Sequence, residues 1–91
     1  MEKSAVITVL GRDRKGIIAA VSHVLADCDV NILDINQTIL GEMFTMVMLV
    51  DYRELSISFD ELQDQLKQTG TAMGLDIRMQ RKEIFDAMHK I

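Results

Sequence analysis

The chain opens on a strand pattern. Residues Ser4 to Leu10 (SAVITVL) are β-branched and apolar on both alternating faces, which predicts a strand in the interior of a sheet. A polar loop, Gly11 to Gly16 (GRDRKG), carries a glycine at each end. Ile17, Val21, Val24, Leu25 and Cys28 then recur on one stripe of a 3.6-residue period, predicting a helix that ends near Asp29. Val30 to Leu40 alternates as a second strand. Gly41-Glu42 is a two-residue connector with glycine where a type II′ turn needs positive φ, and Met43 to Tyr52 returns as the third strand. Pairing Leu40 with Met43 sets the register. One face then collects Leu33, Ile35 and Ile39 with Phe44, Met46, Met48 and Val50, the expected core face. The other keeps Asp34, Asn36, Thr38 and Thr45 together with Ile32, Val47 and Leu49.

Ser58 and Glu61 have capping-box spacing and start a second helix, whose buried stripe is Phe59, Leu62, Leu66 and Met73. Gly70 and Gly74 are the places where it can stop. Leu75 to Gln80 (LDIRMQ) alternates as a fourth, edge strand. Residues 81–91 (RKEIFDAMHKI) form a terminal helix with Ile84, Phe85, Met88 and Ile91 on one side. The order β-α-β-β-α-β, plus a terminal helix, predicts an α+β fold: a four-stranded antiparallel sheet with two helices on one face. The other sheet face then needs cover, from the terminal helix or from a second copy.

Composition narrows the field. With 91 residues, no proline and no linker-like stretch, a single domain over 1–91 is expected. The only cysteine, Cys28, excludes an internal disulfide and a cysteine-based zinc ribbon. The longest apolar run falls far short of the ~20 residues of a membrane helix. The first ten residues lead straight into a strand rather than a signal peptide, so a cytoplasmic location is expected. Net charge is −4 and aromatics make up 4%, the wrong sign and too few rings for nucleic acid. Phe44 and Tyr52 would also fall on opposite faces, which is unsuited to stacking bases.

Catalytic chemistry finds few candidates. Gly11 and Gly16 have P-loop spacing, but Ile17-Ile18 stand where Lys-Ser/Thr would grip phosphate and magnesium. What remains is a strand-to-helix turn that offers backbone N–H groups to a carboxylate or phosphate. Asp13 fits two roles there, helix cap or partner of a ligand ammonium. Asn31, which with Ile32 opens the second strand, can serve a carboxylate and an amine together or simply shape the turn after Asp29. His23 and His89 lack neighbours at metal or relay spacing, and Cys28 reads as a packed thiol. No enzyme activity, metal or cofactor is therefore expected. The four strand methionines, 43, 46, 48 and 79, fit an adaptable core or an interface that repacks around a partner.

The stretch Val6 to Asp34, with D-x-x-G at Asp13 to Gly16, an aliphatic helix and V-N-I at Val30 to Ile32, resembles an ACT domain, the small regulatory amino-acid-binding module. The likeness continues through the hairpin INQTILGEMFTMVMLV and the second helix, so it covers nearly the whole chain. Within that family it resembles the stand-alone ACT proteins, which are similar to the N-terminal ACT domain of the glycine cleavage system transcriptional repressor. The resemblance implies a ferredoxin-like fold, and dimers that associate side by side. It also implies an amino acid or similar small metabolite bound where the loop after the first strand meets a partner chain. By motif match it places Asp13, Gly16, Ile17, Asn31 and Ile32 at that ligand site. Many family ligand loops carry proline before the glycine, and here Lys15 stands there. The competing expectation is an interaction subunit with no retained ligand site, its evidence the Met-rich strands and the terminal helix.

Overall fold

A computed structural model describes residues 3–88. The elements are β1 (Ser4–Arg12), α1 (Ile17–Asp27), β2 (Asn31–Leu40), β3 (Met43–Asp51), α2 (Phe59–Met73), β4 (Leu75–Arg81) and α3 (Lys82–Met88). The four strands form one antiparallel sheet in the order β2-β3-β1-β4, the ferredoxin-like arrangement. The apolar β1 is central and the alternating β4 is an edge, as their patterns predict.

Both long helices lie on one face, and their stripes meet the odd-numbered residues of β1. The core joins Ala5, Ile7 and Val9 to Val21 and Leu25 of α1, to Leu62 and Leu66 of α2, and to Phe44, Met46, Met48 and Val50 of β3. Three of the strand methionines, Met46, Met48 and Met79, are core residues, whereas Met43 stands 47% exposed. The capping box forms: the Glu61 N–H donates to the Ser58 hydroxyl at 3.1 Å and the Ser58 N–H to the Glu61 carboxylate at 3.2 Å.

Several local expectations are corrected. β1 runs on through Gly11 and Arg12, so Gly11 is a strand residue rather than a loop end. A Cβ there would lie 2.6 Å from Leu75 Cδ2 and 3.2 Å from the Gly74 carbonyl oxygen, so glycine lets β1 and the start of β4 approach. α2 passes through Gly70 and stops at Gly74, whose φ of 70° makes the left-handed cap. The Leu40–Met43 register is as expected, but β2 bulges between Ile32 and Asp34. Ile32 therefore pairs with Val50 and packs on the helix-side core, while Leu33 is extruded and 48% exposed. Tyr52 lies beyond the end of β3 and meets Phe59 edge-on at 5.2 Å, on the core side with Phe44.

The terminal helix packs against β1 and β4 of its own chain. Val6, on the sheet face away from α1 and α2, is 6% exposed. Ile84 remains 47% exposed, and the expectations for His89 and Ile91 lie outside the described residues. No described helix is long and apolar enough to cross a membrane.

Candidate functional site

The loop between β1 and α1 is held at three points. The Asp13 N–H donates to the Glu42 carbonyl oxygen at 2.7 Å, fastening the loop to the tip of the β2–β3 hairpin. Arg14 Nη1 donates to the Met73 carbonyl oxygen at 3.3 Å, fastening it to the last residue of α2. Gly16 closes it at φ 87°, a left-handed conformation in which the Ala20 N–H reaches the Gly16 carbonyl oxygen at 2.9 Å. The first two of these links join positions distant in sequence, and no motif signals them.

The start of α1 is left open to solvent. Its N-cap makes no side-chain hydrogen bond, and no acidic residue occupies its first turn. The N–H groups of Ile17, Ile18 and Ala19 precede the first helical bond and have no helical acceptor. Asp13 does not cap the helix. Its side chain is exposed and has no hydrogen-bond partner among the described residues. α2 is the opposite case, with a full capping box and Asp60 and Glu61 in its first turn. The Ile17 side chain is in the core at 2% exposure, so Ile17 presents only its backbone at the loop.

Asn31 lies at the far end of the sheet. Arg12, next to Asp13, pairs with Met43 at one end of the nine-residue β3, and Asn31 pairs with Asp51 at the other. At 3.3 Å per residue that separation is about 26 Å. One protomer thus does not bring Asp13 and Asn31 together. Asn31 lines a shallow hollow of about 490 Å³ with Ala26, Asp29, Val30 and Glu54. Beside it, Asp51 accepts from the Arg53 N–H at 2.9 Å and from Arg53 Nε at 2.8 Å, and these bonds hold its carboxyl below the usual carboxylate range. Ile32, next to Asn31, is half-buried against the core.

Other chemistry-bearing residues are structural. Cys28 is buried, with its Sγ 3.7 Å from Gln65 Oε1. Burial, and then the charges of Asp27 and Asp29, push its pKa up, the reverse of an activated thiol. His23 is exposed beside Asp27 at 3.2 Å. Among the described residues no group of three or more His, Cys, Asp or Glu side chains could hold a metal.

Residues 3–80 match the model of the ACT domain family, and the chain belongs to that family. A UPF0237 protein of Methanopyrus kandleri is 45% identical over 96% of this chain and 97% of its own length. Another, of Clostridium acetobutylicum, is 46% identical over 96% of this chain and 98% of its own. An ACT domain protein from Streptococcus pneumoniae superposes with a TM-score of 0.81 at 38% identity, over 98% of this chain and 100% of that one. A protein described as a glycine cleavage system transcriptional repressor matches with a TM-score of 0.75 at 27% identity, over 90% of this chain but 47% of its own. ACT domains are regulatory, ligand-binding modules in related proteins.

Proposed function

We propose that this chain is a non-catalytic regulatory module which holds an amino acid or similar small zwitterion at the seam between two copies. The observation that carries this reading is the β1–α1 loop. Unpaired N–H groups at the start of a helix suit a ligand carboxylate, and the unpartnered Asp13 carboxylate beside them suits its ammonium group. Asn31 of the second copy supplies the further donor and acceptor. Ligand binding shifts a conformational or partner-binding equilibrium by the difference in affinity between the two states.

Thermal denaturation in the presence of each of the twenty amino acids tests this. A ligand at a hundred times its Kd adds about 2.7 kcal/mol of stability, which for a domain of this size raises Tm by roughly 10–20 °C. The expected result is a rise with one amino acid or a chemically related few, lost in Asp13→Ala and in Asn31→Ala while the unliganded Tm stays within a few degrees. No rise with any amino acid at millimolar concentration overturns the reading.

A further inference from the structure

The free edge of β4 is bordered by a helix. β4 has β1 on one side only, and α2 runs antiparallel to it, with Gln63 beside Met79 and Gly70 beside Leu75. Successive residues of a strand turn their N–H and C=O groups to opposite sides. The Met79 carbonyl oxygen accepts from Gln63 Nε2 at 2.7 Å, and the Leu75 carbonyl oxygen lies 2.7 Å from where a Cβ on Gly70 would stand. The outward set is therefore Leu75, Ile77 and Met79. Two hollows of about 470 and 390 Å³ lie between this edge and the outer flank of α2, and they share Lys67, Ile77 and Arg78. They form one groove along residues 75–80. At 3.3 Å per residue it is about 17 Å long, room for an extended segment of five or six residues.

Gln63 shows what the groove accepts. A side-chain amide carries the same donor as a peptide N–H, so its bond to an outward carbonyl is the bond that an added strand makes. Among the described residues no side chain does the same at Ile77, which keeps its outward N–H and C=O for an incoming chain. The walls are unevenly charged. Asp60 and Asp64 flank the end at Met79 and Gln80, and Lys67 stands at the middle. Asp64 also accepts from Gln68 Nε2 at 2.9 Å, while Asp60 has no partner among the described residues. We infer that this groove takes an extended peptide segment of a partner protein as a fifth strand on β4, with a basic side chain against Asp60 and Asp64. Main-chain bonds at Ile77 and Met79 hold the segment, the Gln63 amide gives way to it, and the two carboxylates choose its side chain. The site is separate from the β1–α1 loop and does not depend on an amino acid being bound there.

The test pans a phage-displayed hexapeptide library on the full-length chain and measures the selected peptides by fluorescence polarisation. The expected peptides carry Lys or Arg near one end. N-methylation of alternate amides is expected to abolish binding in one set and spare it in the other, because only one set faces the edge. Gln63→Ala, which removes the competing amide, is expected to tighten binding roughly 2–10-fold, the worth of one hydrogen bond. Asp60→Lys with Asp64→Lys is expected to weaken it ~10-fold or more. All three substitutions are at the surface and leave the circular dichroism spectrum unchanged. A library that yields no binder overturns the inference, as do peptides indifferent to N-methylation and to these variants. A Gln63→Ala chain that doubles its mass by light scattering and binds no peptide also overturns it, since the edge then serves a further copy of the chain.

Discussion

The Asp13 N–H and the Glu42 carbonyl oxygen, 2.7 Å apart, join the loop before α1 to the turn between β2 and β3. This bond makes the hairpin tip part of the candidate site, although neither Gly41 nor Glu42 offers a side chain that the site needs. The loop is therefore positioned by the edge hairpin on one side and by the end of α2, through Arg14, on the other.

Gly41→Val tests that mechanical link. Gly41 holds φ 61° with open space where a Cβ would stand, so valine meets backbone strain rather than a clash. A non-glycine residue in the left-handed region costs about 1–2 kcal/mol. Urea denaturation is expected to show a loss of that size. The amino-acid-induced rise in Tm is expected to shrink as well, because the strained turn displaces the Glu42 carbonyl that fixes Asp13.

Gly70→Ala tests how α2 is seated on the sheet. A Cβ at this position would stand 2.7 Å from the Leu75 carbonyl oxygen and 3.1 Å from Ile77 Cγ1, so backbone would have to move. Alanine is the better helix former, and helix propensity alone would predict a gain of about 1 kcal/mol. The overpacking cost of about 1–3 kcal/mol outweighs it. The expected result is a fall in Tm; a rise would mean that the helix and β4 are further apart than described.

The order and kind of the elements were legible because each long stripe has one period and one destination. Ile17, Val21 and Leu25 are spaced for a single helix face, and all three are in the core. The Leu40–Met43 register was legible because a two-residue turn leaves one choice. The side of Ile32 was not, because the bulge at Leu33 adds a residue without any glycine or proline to mark it, and one extra residue reverses the faces before it. Gly11 and Gly70 looked like breakers. Both instead lie inside regular elements, where tight packing against Leu75 and the β4 backbone excludes a side chain. At the candidate site the residue types were legible, but the tethers were not. The bonds from Asp13 to Glu42 and from Arg14 to Met73 join positions distant in sequence, through backbone carbonyls that every residue type shares.

Acid stability is expected to depend on Asp51. Its folded pKa is lowered by the Arg53 N–H and guanidinium, so the folded state favours the carboxylate. This contribution is fully present above the unfolded carboxyl value of about 3.9 and is lost as pH falls through the lower folded value. In that window the unfolded chain binds more protons, so stability falls with pH. Asp51→Asn removes the titration, and its unfolding free energy, followed by urea denaturation between pH 6 and pH 2, is expected to fall less steeply than that of the wild type.

The most direct measurement mixes two disabled chains. Asp13→Ala and Asn31→Ala proteins, each unable to bind the amino acid found in the thermal screen, are unfolded together, refolded and titrated calorimetrically. A site made of Asp13 from one copy and Asn31 from the other is whole once in every mixed dimer, so about a quarter of the wild-type binding capacity returns on random pairing. If the mixture is a dimer and binds nothing, the two residues do not share a site across the seam.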